Sequence, residues 1–543
     1  MFPYVVEEFT EAERALLARY TTNLDRPTFC LVNLPEVVKG ALFARYSRSP
    51  KSLRRLLLDE FLTGRGAQED GAPLVDTRRA EEFYERVLVD FGDDSVAQLG
   101  GAHIACEQVS NLLTKQIERG RLAAYLEQST RYIPYHSRLS NGRYRYFRPK
   151  EVLGSPLGAR YVADMDRLFD SYAELLSGLQ VHLQRSLHPP EGASELAWRR
   201  ALRARALDSA RWLLPAATLS NVGMFASGQA YEGLLVSLQT SPLPEAQAYG
   251  RLMQEELEKV ISSFVSRVSR PDRGQRLVSY LTETKARARA TVRSLGARSG
   301  AVGPYKGVRL VDFDPDGEVK IAAAIFFELG GLGAAEALEA ARSLDDAARS
   351  NLIAAYAGER ANRRHKPGRA FEATEYLFEI VTDYGAFRDL QRHRMCSMEW
   401  QELTPKLGYE LPADVEEAGL AKLFHSAMER SAGLYEALVE HFEPQAAYAL
   451  SFAWRIRFTM RMNAREAMHV IELRSSPQGH PSYREVALEM KRLIGEVAGH
   501  RAVSEAMRWA GHGDGDLGRL EAEQRSEARR AGLEGGSQII HAC

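Results

Sequence analysis

The chain is poor in cysteine and has no long apolar run. Four cysteines in 543 residues, Cys30, Cys106, Cys396 and Cys543, are widely scattered and form no CxxC pair. They are too few to staple a chain of this length, so reduced thiols are expected. The thirteen histidines form no evident cluster with them, and no metal site is expected. No apolar stretch approaches the roughly 20 residues that span a bilayer. The start, MFPYVVEEFTEAERALLARY, has acidic residues where a secretion signal has a basic one followed by an apolar core. The expected location is the cytoplasm, with no membrane partner. A basic excess is also missing: the net charge is −1. Arginine is favoured over lysine and clusters locally, as in RYSRSPKSLRR (45–55), but such a run reads as a solvated helix face, and no nucleic-acid partner is expected. Walker loops, HExxH and GxSxG are absent. LGGLGAA (329–335) lacks the third glycine of a dinucleotide fingerprint and reads as a helix-entry turn.

What is present is enough apolar sequence, 45% of residues, for several cores. Helical periodicity dominates, for example over 159–183 and 483–509. Short stretches at 28–33 (TFCLVN), 307–311 (GVRLV) and 376–382 (YLFEIVT) have the composition of strands. The expected fold class is α+β, a small sheet among many helices. Glycine and proline thicken around 296–307, a linker signal, and the polar, Gly-rich tail after Gly511 holds too few apolar residues for a fold. Halving the chain at the linker exposes a faint repeat. EVVKGALF (36–43) resembles EVKIAAAIF (318–326), ERGR (118–121) matches QRHR (391–394), and ARWLLP (210–215) opens a segment resembling the one that runs into 463–474. Three matches in one order argue for duplication.

Arginine chemistry concentrates in two places. In the first, Gln116, Arg119 and Arg121 are followed by Glu127, Gln128, Ser129, Thr130 and Arg131. Ser110 is placed to cap a short helix with Leu112, Leu113 and Ile117 on its apolar face, and Gln128–Arg131 to run extended up to Pro134. Guanidinium forks suit phosphate; a carboxylate and a hydroxyl suit ribose and base edges. A surface ion-pair network would use the same residues, and residue chemistry alone leaves both readings open. The second place is Asn463 to Arg474, a helical pattern in which Asn463 and Arg474 return to nearly one face while Arg465 and His469 lie a turn apart beside it.

Arg119-Gly120-Arg121, seven residues, then Ser129 resembles the signature of flavin-dependent thymidylate synthases, Arg-His-Arg, seven residues, Ser; Gln116, Glu127, Arg131 and Tyr132 match flanking positions. The resemblance implies that Gln116, Arg119, Glu127, Gln128, Ser129, Thr130 and Arg131 bind dUMP, and that Arg119 and Arg121 also touch FAD. Gly120 stands where the family has histidine. The second half keeps Arg392, His393 and Arg394, implying FAD contact, but has Glu402 and Thr404 where Ser and Arg belong. Asn463 and Arg465 match a second family region that contacts FAD, with His469 standing where the family has another Asn, and its last arginine, here Arg474, acts on the uracil ring. Arg211 matches a further dUMP-binding arginine, where the second half has Ala447. Ser95, in Gly92-Asp93-Asp94-Ser95, falls in a loop near the flavin, with Asp93 in place of histidine. Phe371 and Glu372 match the motif after that loop in the second half, where Pro367 and Arg369 disrupt the loop itself.

The losses are complementary: one half keeps phosphate-binding residues, the other the flavin helix and the catalytic arginine. The resemblance implies two tandem copies of a mainly helical domain with a small antiparallel sheet. They are expected as a first repeat over 1–295, a linker over 296–306, a second repeat over 307–512 and a mobile polar tail over 513–543. The implied activity is reductive methylation of dUMP to dTMP, with FAD as cofactor and NADPH and methylenetetrahydrofolate as co-substrates. The alternative is a catalytically degenerate nucleotide- or flavin-binding protein. A small-molecule nucleotide is the expected partner, in a homodimer of two-domain chains, a pseudotetramer.

Overall fold

The computed structural model describes residues 7–46, 49–62, 98–296, 306–511, 520–521, 523–525 and 527–528. Ser95, its loop and most of the linker and tail fall outside them. Among the described residues no helix is long and apolar enough to cross a membrane. Two compact units form: Met1–Val109 with Gln116–Gln128 and Ser220–Arg298, and Ser110–Lys115 with Ser129–Leu219 and Ser299–Cys543.

In the first unit, β1 (Gly101–Ser110), β2 (Ala123–Glu127) and β3 (Leu219–Ser227) form a sheet in the order β1-β3-β2. Antiparallel register runs from Ala123 opposite Ala226 to Glu127 opposite Val222. Along β3, Val222, Met224 and Ala226 are buried while Asn221, Gly223 and Phe225 are exposed, the alternation of a sheet with one covered face. Ser227 caps the helix Gly228–Gln239, its hydroxyl accepting from Ala230 N–H. The helix Pro244–Val265 packs against it, burying Met253 and Leu257. The strand expected at 28–33 does not form; only a single bridge joins Leu31 to Thr21. Side chains take its backbone groups instead: Cys30 N–H donates to the Thr22 hydroxyl and Asn23 donates to Thr28 C=O, while Asn33 adopts φ 55°.

In the second unit, β4 (Gly307–Phe313), β5 (Glu375–Asp383), β6 (Ser397–Trp400) and β7 (Arg455–Asn463) form an antiparallel sheet in the order β4-β5-β7-β6. The strands expected at 307–311 and 376–382 are β4 and β5. Tyr376, Phe378 and Ile380 on β5, with Ile456, Phe458, Met460 and Met462 on β7, fill the core. The 159–183 periodicity becomes the helix Gly158–Ser186, which packs on Glu195–Ala210 and Ala421–Val439. The 483–509 segment is not one helix. It divides into Pro481–Glu496 and Arg501–Ala506, because Gly499 takes φ 73° between them. Residues 330–333 are the expected turn into the helix Ala334–Ser343.

The two halves of the sequence repeat one order of elements. β1 leads into the helix Asn111–Ile117 and then β2; β5 leads into Tyr384–Leu390 and then β6. A 3-10 turn, Arg211–Leu213 or Ala447–Ala449, precedes β3 or β7, and each of these strands enters a capped helix. Caps recur as well. The Ser110 hydroxyl accepts from Leu113 N–H at 3.0 Å, as expected, and Asp383 from Ala386 N–H at 2.8 Å. The fold is α+β, two tandem copies of a mainly helical domain with a small antiparallel sheet.

Candidate active site

Four segments of the second unit bring charged side chains to one place: the turn after Ser129, the end of the Glu195–Ala210 helix with its 3-10 extension, the Tyr384–Leu390 helix with the residues after it, and the Ala464–Arg474 helix with the entry to Pro481–Glu496. Asp389 lies at the centre. Burial alone would raise its carboxyl, but the charges of Arg211, Arg392, Arg474 and Arg131 outweigh burial and hold it well below the usual carboxylate range. Arg211 Nη2 is 3.5 Å from Asp389 Oδ2. Arg211 is 2% exposed, and its Nε and Nη2 have no hydrogen-bond partner. A buried guanidinium with unused donors is costly unless an anion meets it.

Arg131 is held differently. Its Nε and Nη2 donate to Asp208 Oδ1 and Oδ2, each at 2.8 Å, and Nη1 donates to the Tyr483 hydroxyl at 2.9 Å. The guanidinium carbons of Arg131 and Arg474 lie 5.9 and 5.5 Å from the centroid of the Tyr483 ring, within cation–π range. The segment leading to Arg131 is a turn rather than the extended run expected: Tyr132 and Ile133 N–H both donate to Ser129 C=O, and the Ser129 hydroxyl accepts from Arg131 N–H. Thr130 is buried, its hydroxyl accepting from Arg388 Nη1 at 3.4 Å.

Arg474 leads to a second cluster. Its Nε donates to Nε2 of His393 at 2.8 Å. Burial, then the charges of Arg474 and Lys366, hold the His393 imidazole neutral, well below its usual range. With Nε2 accepting, the ring proton resides on Nδ1, which faces Glu466 Oε1 at 3.7 Å. His469 stands edge-on to His393, ring centroids 5.6 Å apart, and burial depresses its imidazole to about 4. Burial raises the Glu466 carboxyl. One ligand atom from each of His393, Glu466 and His469 lies within 4.8 Å of the others.

The remaining expected site residues divide between the units. Gln116, Arg119, Arg121, Glu127 and Gln128 belong to the first unit; Arg119 and Arg121 are exposed, Glu127 is buried, and Gln128 N–H donates to Asn221 C=O. A Cβ at Gly120 would come within 2.7 Å of the Tyr125 hydroxyl, so a histidine there needs that ring to move. In the second unit Arg392 and Arg394 are exposed. Asn463 accepts from Glu466 N–H at 2.9 Å and so caps its own helix; Arg465 pairs with Glu372 at 3.1 Å and donates to Pro367 C=O.

Sequence reasoning missed Asp208, Asp389, Tyr483 and His480. A signal existed for Asp389: it stands three residues before Arg392, as Gln116 stands three before Arg119. His480 is buried, its Nε2 accepting from Trp212 Nε1–H at 3.0 Å, and burial followed by the Arg211 charge lowers its imidazole to about 3. The cleft of about 610 Å³ in the first unit, between Arg54, Phe29 and Leu99, includes none of the expected residues.

Comparison with known proteins agrees with this layout. The family described as thymidylate synthase complementing protein matches residues 42–261 and again 309–499. A UPF0159 protein of Chlamydia muridarum is 39% identical over 528 residues, covering 96% of this chain and 99% of its own. A UPF0159 protein of Chlamydia pneumoniae is 37% identical, over 96% and 98% of the two chains. One of Thermoplasma acidophilum is 31% identical, over 91% and 99%. The two matched stretches coincide with the repeated order of strands and helices, and the chain therefore belongs to the thymidylate synthase complementing protein family, the flavin-dependent thymidylate synthases, carrying its domain twice.

Proposed function

We propose that the chain binds dUMP in the arginine cluster around Asp389 and methylates it reductively to dTMP, with FAD, NADPH and methylenetetrahydrofolate. The observation that carries this reading is the sharing of one half-buried carboxylate, Asp389, by arginines from both copies: Arg131 and Arg211 from the first, Arg392 and Arg474 from the second. Each copy alone has lost half of this set. Arg211, with unused buried donors, takes the phosphate; Arg131 joins it by exchanging Asp208 for phosphate oxygens. Arg474 stabilises negative charge that develops on the uracil ring, a contribution made through preorganised electrostatics.

The donor set suits FAD in part. Exposed Arg392 and Arg394 flank His393 and would meet a pyrophosphate, with His469 beside them, whereas Asn463 and Arg465 are engaged locally. When bound, the flavin supplies the hydride. Arg474→Ala is expected to abolish dTMP formation while flavin absorbance stays; full dTMP formation by that variant would refute the assignment. Pairing of chains into a homodimer belongs to the same proposal and is read by light scattering.

A second reading, a nucleotide- or flavin-binding protein of this family without turnover, is favoured by the grip of Asp208 on Arg131 and by the local bonds of Asn463 and Arg465. Colour separates the two. A purified protein without flavin absorbance that takes up no added FAD supports the second.

A further inference from the structure

We propose that His393, Glu466 and His469 form a binding site for one zinc-like divalent transition ion. Glu466 and His469 stand three residues apart on the Ala464–Arg474 helix and so share a face. His393 arrives from the turn after Tyr384–Leu390. The three ligand atoms lie within 4.8 Å of one another. An ion held at about 2.1 Å from each needs them about 3.5 Å apart, so the two helix side chains must turn inward on binding.

Donor chemistry and surroundings select the ion. Two imidazole nitrogens and one carboxylate oxygen suit zinc, cobalt or nickel, whereas magnesium and calcium require oxygen-rich shells. Lys366 and Arg465 act electrostatically on Glu466, and Lys366 and Arg363 on His469. These positive neighbours oppose any divalent ion alike, so affinity rests on the two imidazole nitrogens and the carboxylate. The site needs nothing from the dUMP reading, but it uses His393 and His469, the side chains that the flavin reading also uses.

One consequence does rest on that reading. In the structure Nε2 of His393 accepts from Arg474, so Nδ1 carries the proton and faces Glu466. An ion on Nδ1 displaces that proton to solvent, and the neutral ring takes one from solvent on Nε2. Nε2 can then no longer accept from Arg474. Metal uptake therefore releases the arginine assigned to the uracil ring, by a change of tautomer with no net change in ring charge.

The test uses the full-length chain, dialysed against chelator and titrated with cobalt(II), without nucleotide, so that its outcome is separate from that of the dUMP reading. One cobalt per chain is expected, with visible ligand-field bands and no thiolate charge-transfer band; zinc displaces it and raises Tm. His469→Gln and Glu466→Gln should each weaken cobalt binding at least tenfold while far-UV circular dichroism is kept. Absence of cobalt bands in the parent chain, equal binding by both variants, a thiolate band, or displacement of cobalt by magnesium would each overturn the site. Arginine Nε–H resonances followed by NMR read the release of Arg474: a zinc-induced shift at Arg474 supports the tautomer change, and none refutes it.

Discussion

Arg131 and Asp208 face each other fork to fork, with two parallel hydrogen bonds of 2.8 Å, and their side chains are only 13% and 12% exposed. A guanidinium held in this way cannot use the same edge for a phosphate. On the nucleotide reading proposed above, the carboxylate competes with the phosphate for this edge. Removing one partner of such a pair takes from the other its main compensating charge, at a cost of about 3 kcal/mol. Asp208→Asn is therefore expected to lower the urea midpoint. Inorganic phosphate and dUMP should recover part of the loss and raise Tm more in the variant than in the parent chain. An equal gain in both would show that Asp208 does not compete with the anion.

The helix that presents Arg474 is anchored by Glu472, which is 1% exposed and accepts from Arg360 Nη1 at 2.7 Å. Arg360 also donates to Ala506 C=O, tying this helix to Arg501–Ala506. Glu472→Gln should cost about 3–5 kcal/mol, measured by urea unfolding. Nucleotide affinity should fall as well, because the same helix carries Arg474.

Two buried groups near Arg211 pull the pH dependence of stability in opposite directions. The Asp383 carboxyl is raised by burial to about 6, against about 3.9 unfolded. The folded chain holds that proton more tightly, so this group's contribution falls as pH rises from about 4 to 6. His480 is depressed to about 3, against about 6.5 unfolded. Its contribution is full above about 6.5 and is lost as pH falls towards 3. Between pH 4 and 6 the two slopes offset each other. Asp383→Asn keeps a capping side chain and removes the first slope. The variant should gain on the order of 2–3 kcal/mol at pH 7 and lose stability more steeply on acidification. His480→Asn should show the reverse slope. Urea midpoints at pH 4, 5, 6 and 7 check both, and unchanged slopes would contradict the assignment.

Gly317 opens its helix against a histidine. A Cβ there would meet His500 Cε1 at 2.3 Å and Thr374 Oγ1 at 2.5 Å, and His500 is itself held by the Tyr376 hydroxyl at 2.7 Å. Gly317→Ala should destabilise by about 1–3 kcal/mol despite alanine's better helix propensity. A lowered Tm is the expected reading.

Periodicity showed the long helices because each buries one stripe, as Tyr161, Met165, Leu168 and Leu175 do in Gly158–Ser186. It did not show the loss of the 28–33 strand, which is decided by the backbone of Asn33 and by side chains on the opposing segment. The family resemblance singled out Arg131, Arg211 and Arg474. The acids between them were not legible, since an aspartate on a helix has the pattern of a surface residue whether it faces water or four arginines. The convergence of His393 with Glu466 and His469 was hidden for another reason. It joins two segments across the sheet's two helical exits, and a search for histidines near cysteines passes over a glutamate.

The second compact unit draws Ser129–Leu219 from the first copy as well as β4 to β7 from the second. Once one folding unit is built from both halves of a duplication, neither half can be pruned from the gene: a deletion that removes either copy also removes part of the other's core. The duplication then works as a ratchet, in which each copy is free to lose the residues its sister supplies.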